Sequence, residues 1–202
     1  MDSQEWDRRY AGTELLWTAE PNRFVVAELA DLRPGRALDL GAGEGRNAVW
    51  LAGRGWKVTA VDFSAVGLEK GRRLATARGA AVDWVRADVL SYRPDAQSFQ
   101  LVLVAYLQLR AAELDSVLRQ AVTALAPGGV LLVVGHDVIN LTEGVGGPQD
   151  PAVLYTPEAV TRSLGGLTVL RAERVRRPVG TAADGAGDSR DAVDTLVRAV
   201  LA

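Results

Sequence analysis

The chain has 202 residues, 48% of them hydrophobic, with a net charge of −2, a single histidine and no cysteine. That is ample for one domain with a real core and short for two. The near-neutral balance does not favour a polyanionic partner such as nucleic acid, and the missing cysteines exclude disulfides, cysteine-based zinc sites and thiol catalysis.

The N-terminus, MDSQEWDRRY, is charged and lacks an apolar signal core, and no apolar run approaches the roughly 20 residues that span a bilayer. A cytoplasmic protein with no membrane partner is expected. RALDL (36–40) is short, apolar and followed by glycine, which reads as a buried strand. NAVWLAGRG (47–55) is a helix ending at glycine, and KVTAVD (57–62) is a strand. Residues 64–79 form a helix that starts at Ser64, a good N-cap. VDWVRA (82–87) and FQLVLVA (99–105) are strands. Residues 112–129 carry apolar side chains at helical spacing, stopped by Pro127 and Gly128, and VLLVVG (130–135) is the next strand. LTVLRAERV (167–175) and DAVDTLVRAVL (191–201) read as a strand pair joined by a mobile Gly/Ala/Asp-rich loop over 180–189. The glycines and prolines of 137–166 fit a flap on the acceptor side.

Strands apolar on both faces, alternating with helices, predict a doubly wound α/β domain with a largely parallel sheet. Ligands of such folds bind beyond the carboxyl ends of the strands. Asp39, the turn Gly41, Ala42, Gly43, Glu44, Gly45, and the tip residues Asp62, Asp88 and Tyr106 therefore converge on one edge.

The turn is G-x-G-x-G rather than the G-x-G-x-x-G of a dinucleotide site. Asp39, two residues before the first glycine, suits a cationic amine better than a diphosphate. Asp62 can accept hydrogen bonds from two ribose hydroxyls. Asp88 can accept from an exocyclic adenine amine, and Phe63 can pack on the adenine face. An acid for an amine, one for a ribose and one for an adenine describe S-adenosyl-L-methionine (SAM).

LDLGAGEGRN, VTAVDFS, RADVL (86–90) and ALAPGGVLLV (124–133) resemble, in order and spacing, the motifs of class I SAM-dependent methyltransferases. The resemblance implies a single Rossmann-like seven-stranded sheet, mostly parallel with an antiparallel C-terminal strand and helices on both faces. It extends the cofactor set to Ala42 and Val89, with no metal. WDRRYAG (6–12), LWTAEPN (16–22), GEGRNAVWLA (43–52) and VAYLQL (104–109) are similar, more narrowly, to the tellurite-resistance and thiopurine-type methyltransferases. That likeness implies a helical lid over residues 1–32, with Trp6, Tyr10 and Trp17 closing the site. Arg46 and Asn47 would lie beside the turn, and Ala105 and Tyr106 would border the methionine part. The cofactor core is then 36–136, and 137–202 holds the flap and the strand pair.

The lone histidine, His136, follows the fifth strand at the ligand edge. It is the candidate to orient or deprotonate an acceptor, with Asp137 nearby. Tyr106 is the second catalytic candidate, and Gln108 a weaker acceptor contact. The expected activity is methyl transfer to a small-molecule nucleophile by in-line displacement, by a monomer or homodimer. The alternatives are a nucleic-acid or protein methyltransferase, whose basic groove would need Arg171, Arg174, Arg176 and Arg177, an NAD-dependent oxidoreductase, and a non-catalytic SAM-binding protein.

Overall fold

The computed structural model describes residues 2–12, 14–179 and 190–202. Seven strands form one sheet: β1 (Arg36–Leu40), β2 (Lys57–Asp62), β3 (Val82–Arg86), β4 (Phe99–Ala105), β5 (Leu125–His136), β6 (Leu167–Val179) and β7 (Arg190–Leu201). Their order across the sheet is β3-β2-β1-β4-β5-β7-β6. β1 to β5 pair in parallel, and β7 runs antiparallel to both β5 and β6. This is the doubly wound sheet with one reversed C-terminal strand that the sequence predicts.

The two-residue period of the strands sorts the core into two layers. Leu38, Val102, Val104, Leu131 and Val133 pack with Val117, Leu118 and Ala121 of helix α5 (Ala111–Ala124). Ala37, Leu101, Leu103, Leu132 and Val134 pack on the other face, with Val25 and Leu29 of α2 (Arg23–Leu29) and Ala48 and Leu51 of α3 (Arg46–Gly53). Asp39 alternates with Leu38 and Leu40, so it points to the α2/α3 face and is almost wholly buried at 1% exposure.

The chain punctuation is largely as read. Ser64 caps α4 (Ala65–Ala77) through a bond from Gly67 N at 3.0 Å. α3 gives way to Gly55 at φ 89°, where a side chain would be strained. One boundary needs correction: the helix expected to run to residue 129 ends at Ala124, because Leu125 is already extended and pairs with Phe99. Between the paired positions Phe99/Leu125 and Leu101/Val130 the register shifts, so Pro127 and Gly128 bulge from β5 rather than close α5. Helical spacing continued past the point where pairing to β4 took over.

The N-terminal segment carries α1 (Ser3–Ala11) and α2. After β5 come two short helices, α6 (Asn140–Glu143) and α7 (Pro157–Arg162), with a 3-10 turn at Pro151–Val153 between them. The loop expected over 180–189 lies outside the described residues. Among the described residues, no helix is long and apolar enough to cross a membrane.

Candidate functional site

The tips of β1, β4 and β5, the turn after β1, the N-terminal segment and the loop before Pro151 enclose one cavity of about 920 Å³. Of the residues singled out by sequence, Asp39, Gly41, Ala42, Gly43, Arg46, Asn47, Ala105, Tyr106, Gln108, His136, Trp6, Tyr10 and Trp17 line it. Asp62, Phe63, Asp88 and Val89 do not. Val89 is buried in the α5-side core, and Asp88 is exposed, its carboxylate accepting Leu90 N at 2.9 Å.

The glycine turn is built by backbone conformation. Gly41, Gly43 and Gly45 stand at φ 77°, 56° and 74°, a region that side-chain-bearing residues rarely adopt. The turn is locked to the tip of β2: Gly41 N and Ala42 N bond to Val61 O, and Gly43 N donates to Asp62 Oδ2 at 2.8 Å. Asp62 Oδ1 accepts Ser64 N at 2.8 Å. Burial raises the Asp62 carboxyl, and these two N–H groups oppose the rise.

Asp39 is different. Its Oδ2 is buried and has no hydrogen-bond partner among the described residues. Burial, reinforced by the Asp62 charge, pushes its carboxyl up to about 7, while Arg46 and the Ala48 N–H pull the other way. Arg46, at the first turn of α3, forms no hydrogen bond or salt bridge to any described residue, and burial lowers its pKa. One wall of the cavity thus carries a carboxylate oxygen unsatisfied among the described residues and a guanidinium held near it by charge alone, an arrangement suited to a charged ligand.

The N-terminal segment is pinned over the turn by polar contacts. Asp7 accepts from Ser64 Oγ and from Val66 N. Lys70 Nζ donates to Tyr10 O and lies 3.3 Å from Glu44 Oε1. Glu44, buried inside the turn itself, accepts Leu16 N at 2.9 Å and Trp17 N at 3.0 Å. Asn22 caps α2, donates from its own backbone N–H to Asn47 Oδ1 at 2.9 Å, and donates from Nδ2 to Tyr106 Oη at 3.1 Å.

Tyr106 adopts φ 56°, an outlier for a bulky residue and a mark of functional or over-determined backbone. Its hydroxyl donates to Asp194 Oδ2 at 2.7 Å, and burial raises its pKa well above the usual phenol value. The ring meets His136 edge-on at 4.9 Å.

Asp137 is not the partner of His136. Its carboxylate accepts Ile139 N, Arg174 Nε and Thr195 Oγ1, tying the start of the flap to β6 and β7. The carboxylate facing His136 is Asp194, whose Oδ1 lies 3.2 Å from Nδ1. Asn22 and Asp194 were missed from sequence, and Glu44 and Arg177 were read there only as a turn residue and a candidate groove residue. The signal for Asp194 was available: an acid within the apolar alternation of DAVDTLVRAVL has to be buried and partnered. The four arginines of β6 each pair with a carboxylate: Arg171 with Glu28, Arg174 with Asp137, Arg176 with Glu143 and Arg177 with Asp194.

Residues 37–129 match the model of a family described as a methyltransferase domain. A demethylmenaquinone methyltransferase of Thermus thermophilus is 34% identical over 125 residues, covering 61% of this chain and 55% of that protein. A tRNA 5-carboxymethoxyuridine methyltransferase of Escherichia coli K12 is 31% identical over 122 residues, covering 58% of this chain and 46% of that protein. The chain therefore spans about half the length of these curated relatives. The N-methyltransferase NodS of Bradyrhizobium japonicum, solved with S-adenosyl-L-homocysteine, superposes with a TM-score of 0.70 at 21% identity, covering 98% of this chain and 97% of that one. At that identity the likeness speaks for the fold.

Proposed function

We propose that the protein, whose residues 37–129 match a methyltransferase-domain family, is a class I SAM-dependent enzyme that transfers a methyl group from SAM to a small-molecule acceptor. The observation that carries this reading is the cavity wall on which Asp39, with Oδ2 unpartnered among the described residues, and Arg46 flank the glycine turn. A carboxylate with one oxygen unpartnered among the described residues and a guanidinium without a hydrogen bond or salt bridge to one, beside a turn of left-handed glycines, match the ammonium and carboxylate of the methionine end of the cofactor. Gly41, Ala42 and Gly43 let the backbone approach, Asn47 lies beside them, and Ala105 and Tyr106 border the sulfur. Asp62 is assigned to the ribose, and Phe63, Asp88 and Val89 to the adenine. The Tyr10 ring lies against Gly43 and Gly67, so it has to move for a ribose to reach Asp62.

A bound SAM supplies an electrophilic methyl on a sulfonium, whose leaving group is neutral. The protein's share is then orientation and dryness. Trp6, Tyr10 and Trp17 act on the N-terminal side as a lid, and the flap residues Val145 to Asp150 close the acceptor side of the same space. A cavity of about 920 Å³ is of the size that takes small molecules, and the arginines of β6 are each paired with a carboxylate rather than gathered into a basic patch. Both features favour a small acceptor over RNA.

Calorimetric titration with S-adenosylhomocysteine tests the reading, with NAD as control. The expected result is 1:1 binding of the sulfur compound, weakened at least about tenfold in Arg46→Ala. Binding of NAD in its place would return the turn to the dinucleotide class.

A further inference from the structure

On the acceptor side of the cavity, side chains from three strand ends and the N-terminal segment meet around one buried acid. Asp194, on β7, has no exposed surface. Its Oδ2 accepts from Tyr106 Oη at 2.7 Å and from Arg177 Nε at 2.8 Å. Tyr106 Oη in turn accepts from Asn22 Nδ2. With Oδ2 committed to two donors, the carboxylate plane is fixed and Oδ1 is aimed by default.

Oδ1 faces His136 Nδ1 at 3.2 Å. Both atoms are buried, and neither has an aligned hydrogen bond to any described residue. An acceptor and a potential donor, facing at this distance with no other partner, need only a small ring rotation to bond. Hydrogen bonds that serve chemistry are often this loose before ligand binds. Burial raises the Asp194 carboxyl, but the His136 ring facing Oδ1 and the donors Arg177 and Tyr106 on Oδ2 outweigh it and hold the group below the ordinary carboxylate range. It therefore stays ionised and can only accept.

The ring itself is confined. Tyr106 meets it edge-on, and on the flap side a Cβ on Gly147 would stand 2.9 Å from Nδ1 and 3.0 Å from Cδ2. The charged and titratable groups around it are Tyr106 from β4, Arg177 from β6 and Asp194 from β7, while the flap contributes the uncharged Gly147. Nδ1 is buried and faces Asp194, and His136 lines the cavity, which leaves Nε2 as the ring nitrogen free to meet a ligand.

We propose that Asp194 and His136 form a proton-abstracting pair, Asp194 the positioning residue and His136 Nε2 the base, and that the methyl acceptor is accordingly a weakly acidic hydroxyl compound such as a phenol or enol. The proposal rests on the methyltransferase reading above. Asp194 Oδ1 accepts a hydrogen bond from Nδ1–H, which keeps the proton on Nδ1 and leaves the lone pair on Nε2. Nε2 accepts the hydroxyl proton, and the oxygen forms its new bond to the methyl carbon. The carbon–sulfur bond of the donor breaks with its electron pair on sulfur, and Nε2 passes its proton to water once the products leave. A thiolate or other soft anion needs no such base, so the pair would be idle in a protein built for one.

The single histidine makes the test clean, because imidazole nitrogen signals come from one ring. In 15N spectra of the wild type, the neutral ring is expected to carry its proton on Nδ1, in slow exchange with water. Asp194→Asn is expected to shift the proton toward Nε2. A wild-type ring protonated on Nε2 overturns the pair without any variant being needed. Methyl transfer is then measured with phenol and thiophenol in equal amounts. The expected product is the phenyl ether, with kcat falling at least about 100-fold in His136→Gln while KM moves little. Product on thiophenol alone, or on neither, overturns the acceptor class. S-adenosylhomocysteine binding on the same samples separates the failures: no binding sinks the methyltransferase reading, whereas binding with the wrong tautomer sinks the pair alone.

Discussion

The hydroxyl of Tyr10 lies against the backbone of Gly43, so closely that a Cβ built on Gly43 would stand 2.7 Å from it. A residue of the first helix thus reaches the middle of the cofactor turn, and the lid and the turn share one packing surface. Tyr10 is 5% exposed, and burial, with the charges of Asp62 and Glu44, holds its hydroxyl protonated far above neutral pH.

Gly43→Ala is therefore expected to act on α1 as much as on the turn. The new methyl meets Tyr10 and also sits at a φ of 56° that alanine resists. The cost is on the order of 1–3 kcal/mol. Amide exchange over residues 3–11 should accelerate with it; unchanged protection there would show that the turn and α1 are not coupled. Tyr10→Ala, which empties the space instead, should raise the association rate for S-adenosylhomocysteine in stopped-flow measurements.

Glu44 ties residues 16 and 17 to the turn through two backbone N–H bonds, and it is 4% exposed. Glu44→Ala leaves both donors and Lys70 without that carboxylate. We expect a loss of about 2–4 kcal/mol in denaturant unfolding, with faster amide exchange at Leu16 and Trp17. Glu44→Gln, which keeps one acceptor, should fall between the two.

Asp39 makes stability and binding depend on pH in a defined direction. Its carboxyl is pushed up to about 7 in the folded protein, above its ordinary value of 3.8. A raised folded pKa means that the native state holds the proton more tightly. Stability from this group is full below about 4 and declines as pH rises through about 7. Asp39→Asn should flatten that decline, with a gain on the order of a few kcal/mol at pH 8. Ligand binding runs the other way, because an ammonium favours the ionised acid. S-adenosylhomocysteine should bind more tightly at pH 8 than at pH 6, with proton release at pH 6 visible as buffer-dependent calorimetric heats.

Tyr106→Phe removes one hydroxyl from a buried network. Asp194 Oδ2 loses a donor at 2.7 Å and Asn22 Nδ2 loses its acceptor at 3.1 Å. A cost of about 1–3 kcal/mol is expected, larger than for an exposed tyrosine. Because Asn22 also caps α2 and bonds to Asn47, exchange at Phe24 and Val25 should quicken as well.

The strands and most helices were legible because their causes are local. LDLGAGEG combines a short apolar run with glycines at the positions that take positive φ, and Ser64 is a cap by its own side chain. The period of β1 placed Asp39 opposite Leu38 and Leu40, and the alternation of strands with helices predicted the parallel sheet that β1 to β5 form. The end of α5 was not legible, because pairing of Leu125 with Phe99, 26 residues away in sequence, overrode the helical spacing.

For the candidate site, the sequence by itself determined the kinds of group at the strand tips: the turn glycines, Asp39, Asp62, Tyr106 and His136. Only the tertiary structure decided which of them share a wall. It left Asp62, Phe63, Asp88 and Val89 outside the cavity, brought Glu44 to the N-terminal segment, and exchanged Asp137 for Asp194 beside His136. The reason is topological. His136 pairs with Asp194 across antiparallel β5 and β7, so the register of a strand 58 residues later sets the neighbour of a residue whose sequence neighbour turns away to Thr195 and Arg174.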